Sequence, residues 1–357
     1  MTPAATGADT RIRRLRLVFA GLVLLLAGSI LLSLFVGSVN VPFGDTLDAL
    51  LGGDGPRAVL VRDFRIPRTV TALTVGAALG LAGMQMQTLF RNPLADPYIL
   101  GASSGASLGV AIVVLLGGSS AAAGFTRGLT AMGRNGTVIA AAIGAGVVLA
   151  IIAVLSRWVR SSVALLLVGV MLASVSTAAV SVMLTMTQPQ LAQQFLVWGM
   201  GTFRASTDQD LQIMVPLVIA GIVLAALTVR PLNALLLGEG YARSMGIGIG
   251  RTRVVIIVSS AILAGVTTAF CGPIGFLGLV IPHLARFTVG SSDHRLVMPA
   301  TLLIGAALAL ICGVIAELPG ATDKVLPLGA VTALFGAPVV IFVLVRASRG
   351  RLSGVGL

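Results

Sequence analysis

The chain has 357 residues, of which 57% are hydrophobic and only 10% are charged, and its formal net charge is +12. A soluble domain carries about 25% charged residues, because a dissolved surface needs polar groups. The composition therefore excludes a soluble domain and predicts an all-α integral membrane protein.

The apolar segments suit about ten membrane crossings, since one spanning helix needs about 20 apolar residues. The predicted spans are 17–37, 69–90, 98–117, 137–155, 162–184, 211–229, 254–271, 274–289, 297–316 and 327–345. The first span is longer than the apolar part of a signal peptide, about 7–15 residues. We expect it to be retained behind a cytoplasmic tail, residues 1–16. No other segment is long enough to fold alone, so we predict one transmembrane domain over residues 1–357.

The charged residues are distributed unevenly between the two sides of this topology. With the N-terminus inside, 16 of the 24 basic and 4 of the 12 acidic residues lie on the cytoplasmic side. The whole net charge then lies there, as the positive-inside rule requires. We predict a multi-pass protein of the cell membrane with both termini cytoplasmic. The charge thus favours membrane orientation over nucleic-acid binding.

Chemically reactive groups are sparse inside the predicted spans. No Asp, Glu, Lys or Arg lies near the middle of a span, where ion-coupled carriers usually have one. The same absence leaves no nucleophile, base and acid for an enzyme, and no GxxxxGK[ST] motif for binding ATP occurs. Cys271, Cys312, His283 and His294 have no metal-ligand spacing. We therefore predict neither a metal site nor a catalytic site.

Polar residues mark one side of the fifth predicted span. Met171, Ser174, Thr177 and Ser181 are spaced three and four apart and share one helix face, and Gln87 lies at the inner end of the second span. Two interpretations remain open. The residues provide hydrogen bonds between helices, as such residues commonly do, or they line a path for a large solute.

A polar knot follows the second span. It consists of Arg91, Asn92, Pro93, Asp96 and Pro97. The two prolines end the helix and keep the residue before each of them extended. Arg91 suits the C-terminal end of a helix, where the dipole favours a cation.

Residues 231–253 form a long connection between two spans on the cytoplasmic side. Their middle, LLLGEGYARSMG, predicts a short amphipathic helix that stops at Gly246. The segment is either an ordinary surface helix or a docking element for a cytoplasmic partner. The candidate contact residues are Leu237, Gly238, Glu239, Tyr241, Ala242, Arg243, Met245 and Gly246.

Six motifs occur in order along the chain. They are RIPRT, GAALGLAGMQMQTLFRNPLADPYILGASSGA, WGMG, LLLGEGYARSMG, GPIGFLGLVIPHLARFTVGSSDHR and LPLGAVTALFGAPVVIFVL. With them, the chain resembles the FecCD/BtuC-type permease subunits of ABC importers for iron chelates and cobalamin. The resemblance implies a BtuC-like helical bundle with two weakly related halves and a single transmembrane permease domain.

The resemblance also implies partners and residue roles. The complex would contain two permease subunits, identical or paralogous, two ATPase subunits that bind ATP and Mg, and an extracytoplasmic binding protein that delivers a metal chelate. This chain would bind no cofactor and would contact membrane lipid. Residues 231–253 would couple it to the ATPase, and Arg65 and Arg68 would receive the binding protein. The polar knot would cap the second helix on the cytoplasmic side, and Gly272 and Pro273 would break the second half at the opposite face.

One departure from the family pattern lies at the outer end of the ninth span. Many relatives have an Asp there and an Arg four residues later, whereas this chain has Gly313 and Glu317, with Lys324 as a nearby basic substitute. The expected function is import of an iron(III)-siderophore complex. Haem or cobalamin is the alternative cargo. Two other function classes, an ion-coupled carrier and a membrane scaffold or receptor, are disfavoured.

Overall fold

The computed structural model describes residues 3–37, 39, 41–55, 57–116, 132–156, 158–159, 162–204, 206–318 and 325–352. Over these residues the secondary structure is helical, without strands. Each of the ten predicted spans corresponds to a helix, so the all-α membrane fold is confirmed. Seven described helices are long and apolar enough to cross a membrane, and three shorter apolar helices accompany them.

The helices are named in chain order. They are α1 (Pro3–Phe35), α2 (Phe43–Leu50), α3 (Ile66–Leu89), α4 (Ala102–Leu116), α5 (Arg134–Leu155), α6 (Ser162–Thr185), α7 (Pro189–Gly199), α8 (Asp208–Leu227), α9 (Val229–Leu237), α10 (Glu239–Ser244), α11 (Ile249–Cys271), α12 (Leu277–Val289), α13 (His294–Glu317) and α14 (Leu328–Leu352). A wide π-type turn, Leu60–Arg65, leads into α3, and a 3₁₀ turn, Pro97–Leu100, precedes α4.

Helix α3 is the centre of the bundle. It packs against α11, α12 and α13, and nearly all of its residues are buried. Gly76 of α3 faces Gly305 of α13 so closely that a Cβ on either would overlap the opposite carbonyl oxygen. Small residues thus let the two backbones touch, which is how membrane helices gain packing contacts.

A second tight pair is formed by α4 and α5. Gly105 and Gly144 approach each other in the same way, and α11 packs against α5 to join this pair to the α3 group. Helix α6 contacts α4 but leaves much of its surface exposed. The bundle therefore has a buried centre at α3 and an exposed edge at α6.

Some helix limits differ from the sequence prediction. The third span begins at Ala102 rather than residue 98, because the 3₁₀ turn comes first and Gly101 has a φ of 81°. The helices α2 and α7 lie in segments that we expected only to connect spans. Both are short, and hydropathy over a membrane-length window does not detect them.

Candidate coupling and translocation site

The connection that we predict to be cytoplasmic, residues 231–253, contains two short helices, α9 and α10. The prediction of one helix through LLLGEGYARSMG is corrected, because Gly238 interrupts it with a φ of 120°, a conformation that glycine adopts readily. Gly246 follows α10 with a φ of 79°. The helix therefore stops where the sequence predicted.

Helix α9 is tied to α3 and α13. Arg91 donates a hydrogen bond from Nη2 to the carbonyl of Leu235 at 2.9 Å. The amide of Asn233 donates to Asp293 Oδ1 at 2.6 Å, and its oxygen accepts the backbone N–H of His294 at 2.8 Å. Hydrogen bonds thus join α9 to the end of α3 and to the start of α13. The polar knot supplies one of these links, a role that sequence reasoning missed.

Asp293 also caps the start of α13. Its carboxylate accepts the backbone N–H of Arg295 at 2.9 Å. This bond, and after it the bond from Asn233, lowers the pKa of Asp293 although burial opposes the shift, because hydrogen bonds to a carboxylate favour its charged form. The contact between α9 and α13 therefore involves an ionised carboxylate at neutral pH.

Helix α10 is held by its first residue. Glu239 Oε1 lies 3.2 Å from Arg253 Nη2 at the start of α11, and Arg253 also donates to the carbonyl of Val159 at 3.0 Å. Glu239 therefore has a contact within the subunit, in addition to any contact that it makes with the ATPase. Ala242 is fully buried, so the prediction that its side chain contacts a partner is wrong.

Large side chains before, within and after α10 are exposed on the surface of the subunit. Leu237, Tyr241 and Met245 are exposed, Tyr241 by 53%, and Arg243 is also exposed. Polar contacts thus hold Glu239 within the subunit. The exposed side chains of Leu237, Tyr241 and Met245, called the apolar tip below, have no such role. This division is typical of a surface that another protein covers.

The two predicted docking arginines are not on an exposed rim, which corrects that expectation. Arg65 and Arg68 are only 5% and 7% exposed. The guanidinium of Arg65 donates to the carbonyls of Leu34 and Val39, at 2.8 and 2.6 Å. A guanidinium brings five donors, and here nearby backbone carbonyls take several of them.

Arg68 pairs with Glu317 at the end of α13. The other oxygen of this buried carboxylate lies 3.4 Å from Nε of Arg204, whose side chain is 47% exposed. Glu317 thus binds two arginines and does not replace the basic docking contact of relatives. Lys324 lies outside the described residues. Arg204 is a candidate docking residue that the sequence did not indicate, because only the fold brings its side chain to Glu317.

The four predicted path residues on α6 are all exposed. The hydroxyls of Ser174, Thr177 and Ser181 donate to the carbonyl four residues earlier, each at 2.9 Å. These bonds lie within α6 and do not join it to another described helix. Met171 completes the same exposed face.

Gln87 does not belong to that face, which corrects its assignment to the path. It is buried, its Nε2 donates to the carbonyl of Leu279 at 3.0 Å, and its Oε1 accepts from Arg286 Nη1 at 2.6 Å. Gln87 therefore joins α3 to α12. The sequence could not distinguish this role from path lining, because both need a polar residue near a span end.

The chain that follows the break at Gly272 and Pro273 contacts the polar knot and the turn after it. The hydroxyl of Tyr98 accepts the backbone N–H of Ile274 at 3.3 Å, and the carbonyl of Pro93 lies 2.8 Å from His283 Nε2. Helix α12 has 13 residues and is therefore about 20 Å long, shorter than the hydrocarbon core of about 30 Å. Helix α12 is therefore too short to cross the membrane alone, whereas α11, which ends at the break, is a candidate span of 23 residues. The placement of the break at the opposite membrane face stays a prediction.

Comparison with known proteins supports one family over nearly the whole chain. The sequence model of the FecCD transport family matches residues 23–346. The vitamin B12 import system permease protein BtuC of Klebsiella pneumoniae is 38% identical over 98% of this chain and 100% of its own length. The ferric enterobactin transport system permease protein FepD of Escherichia coli is 37% identical over 92% of this chain and 95% of its own.

A solved structure has the same fold. It is described as an inward-facing conformation of a metal-chelate type ABC transporter, and it superposes with a TM-score of 0.77 at 28% identity. The match covers 93% of this chain and 99% of the other. The chain therefore belongs to the FecCD transport family, as a multi-pass membrane permease and not an enzyme.

Proposed function

We propose that this permease belongs to an ATP-driven importer that moves an iron(III)-siderophore complex into the cytoplasm. An extracytoplasmic binding protein delivers the complex, and two ATPase subunits drive two permease subunits. Both termini of the chain are cytoplasmic. The single observation that carries the ATP-driven mechanism is the exposed apolar tip formed by Leu237, Tyr241 and Met245. It lies on the side that carries the positive charge.

The geometry supports transmission of force through this tip. A partner that presses on α10 acts on a segment connected to α3, α11 and α13 through Arg91, Glu239 and Asn233. Small packed helices move as rigid elements rather than deforming continuously. ATP-driven motion of a docked ATPase therefore reaches the centre of the bundle.

This coupling role is tested with a Tyr241→Ala, Met245→Ala double variant. We expect weaker assembly with the ATPase, because the variant removes exposed apolar anchors without disturbing the Glu239–Arg253 contact. Gly250→Ala is the control, since a Cβ at that nearby residue meets nothing within 4 Å. Normal assembly and normal stimulation of ATP hydrolysis in the double variant would reject the proposal. Glu239 and Arg243 stay candidate contacts, but their ion pair makes a loss of assembly harder to interpret.

The relatives and the face on α6 support a large metal chelate as the cargo. One relative is named for ferric enterobactin and another for vitamin B12. The exposed hydroxyls and thioether of α6 offer weak, uncharged contacts, which suit passage of a large chelate better than charges that bind it tightly. Uptake of radiolabelled ferric siderophores and of cobalamin by the reconstituted importer decides between the two. Uptake of cobalamin alone would replace the siderophore as cargo.

The cluster of Arg68, Glu317 and Arg204 is the proposed docking site of the binding protein, which we expect to contact Arg204 rather than Arg65 or Arg68. Arg204 is the exposed member of the cluster, and Glu317 positions it. An exposed charged contact acts chiefly on the association rate and weakens with salt. Arg204→Glu should therefore slow docking in a salt-dependent way, whereas Arg57→Glu, a matched change at an arginine whose side chain is 52% exposed, should have less effect. Unchanged docking by Arg204→Glu would reject this contact.

A further inference from the structure

Helix α2 is held in one orientation by the segment that follows it. Its residues Thr46 and Ala49 are buried, and Ala49 packs in a small apolar cluster with Val61. The guanidinium of Arg62 donates to the carbonyls of Ala49 and Gly53, at 3.0 and 3.1 Å, and so holds the C-terminal end of the helix. Contacts within the subunit thus decide which side chains of α2 remain exposed.

The exposed residues of α2 divide into an apolar face and an acidic face. The apolar face consists of Phe43, Leu47, Leu50 and Leu51. They share one side, because a helix turns by about 100° per residue and Leu51 continues the last turn with a bond to the carbonyl of Leu47 at 3.0 Å. The acidic face has Asp45 and Asp48. By the same period these two acids point away from the apolar face, so α2 is amphipathic toward its surroundings.

The end of α1 fixes the depth of α2 in the membrane. Helix α1 contains a candidate membrane span, and its uncharged residues 17–35 follow Arg16. These residues are about 27 Å long, close to the roughly 30 Å of the hydrocarbon core. Phe35 therefore lies near the hydrocarbon boundary opposite the N-terminal tail. The rings of Phe35 and Phe43 stack with their centroids 4.6 Å apart, so α2 begins at that boundary.

We propose that α2 lies in the membrane interface and that its apolar face binds the acyl chains of phospholipids. Leu31 and Leu32, about one turn before Phe35, are exposed on α1. The apolar surface of the span thus continues onto α2 across the stack of Phe35 and Phe43. Acyl chains take the apolar face out of water while the acidic face stays hydrated, which is the arrangement of an interfacial amphipathic helix.

Lipid fits this face better than a protein that docks from water. Such a protein approaches from the aqueous side, which the acidic face of α2 meets, whereas the apolar face points toward the boundary at which α1 ends. Large apolar side chains at this depth are stabilised when hydrocarbon replaces water around them. The proposal is independent of the cargo and of the ATPase contact.

Spin labelling of single cysteines measures which medium each face meets. In the complete transporter with Cys271 and Cys312 replaced, a nitroxide is attached to Leu47→Cys, Leu51→Cys or Asp48→Cys. The transporter is reconstituted into vesicles of phosphatidylethanolamine and phosphatidylglycerol, first without the binding protein. Collisions of the nitroxide with oxygen, which concentrates in hydrocarbon, are compared with collisions with a water-soluble nickel chelate.

We expect the ratio of oxygen to nickel collisions to be several-fold higher at Leu47→Cys and Leu51→Cys than at Asp48→Cys. Leu24→Cys, exposed within the span of α1, is the control for hydrocarbon. Asp54→Cys, whose side chain is 93% exposed, is the control for water. All five positions are exposed, so the changes leave the buried packing intact. Adding the binding protein should leave the ratios of the two leucine positions unchanged.

Three results overturn the proposal. Ratios at Leu47→Cys and Leu51→Cys as low as that at Asp54→Cys place the apolar face in water. Protection of both leucine positions from both reagents, already without the binding protein, shows that a second permease or another subunit covers the face. Protection that develops when the binding protein is added assigns the face to that protein.

Discussion

Helices α3 and α6 have the same length, 24 residues, yet they use polar side chains differently. In α3, Gln85 accepts hydrogen bonds from Ser259 and Ser260 of α11, at 3.1 and 3.0 Å. In α6, the hydroxyls of Ser174 and Ser181 donate to carbonyls of their own helix. The difference follows from position, because α3 is surrounded by helices and α6 lies at the edge. A polar residue in a membrane helix joins helices only where a neighbour supplies a partner.

The largest effect should come from breaking the buried ion pair of α3. Glu317→Ala leaves Arg68 buried without its carboxylate, and the loss of one partner of a buried pair costs about 3–5 kcal/mol. The unfolding temperature of the purified permease should fall accordingly. Arg204→Ala is the matched control, because Arg204 is half exposed and exposed pairs contribute only about 0–1 kcal/mol. Equal stability of the two variants would show that Glu317 does not anchor α3.

A smaller loss is expected from Gln87→Leu in α3. The change removes the acceptor of Arg286 and the donor to the carbonyl of Leu279. Leaving a buried polar group without a partner costs about 1–3 kcal/mol, which thermal unfolding should detect. Gln188→Leu, at an exposed position before α7, is the control. A neutral Gln87→Leu would show that these two bonds do not hold α3 against α12.

Thiol labelling tests whether α6 and α3 also differ in how accessible their side chains are to water. In a background with Cys271 and Cys312 replaced, Ser174→Cys and Ser181→Cys of α6 should react with a water-soluble reagent in at least one nucleotide state. The control Thr88→Cys should stay unreactive, because Thr88 is buried in α3.

Two results together would contradict the path assignment. They are unreactive cysteines at both α6 positions in the resting and ATP-bound states, and transport that survives a bulky Ser174→Phe change. The exposed face of α6 would then be a packing surface, as the other interpretation of the sequence holds.

The smallest effect is expected for Ser181→Ala. Its hydroxyl bonds only to the carbonyl of Thr177 in α6, so the free energy of unfolding should change by no more than about 0.5 kcal/mol. Ser260→Ala, which removes a bond to Gln85 between two helices, should cost about 1 kcal/mol. If denaturation showed equal losses for the two variants, hydroxyls on α6 would contribute to packing as those around α3 do.

The predictions from sequence succeeded where the relevant property is local. Hydropathy located the seven long and three shorter apolar helices found among the described residues, and Gly246 ended α10 where a glycine stop was expected. The candidate site was predicted less well. The face on α6 followed from helical periodicity, but Gln87, Arg65 and Arg68 proved to be buried, and one predicted helix was divided at Gly238.

By itself, the sequence determined that the chain is a helical membrane protein, which segments form apolar helices, and which residues share a helix face. These properties follow from the apolar length and the period of the helix. Only the tertiary structure decided which polar groups meet. Arg68 and Glu317 are 249 positions apart, and Gln87 and Arg286 are 199 apart. Such pairs form because glycine-lined helices such as α3 and α13 pack closely, and no local pattern specifies which helix faces which.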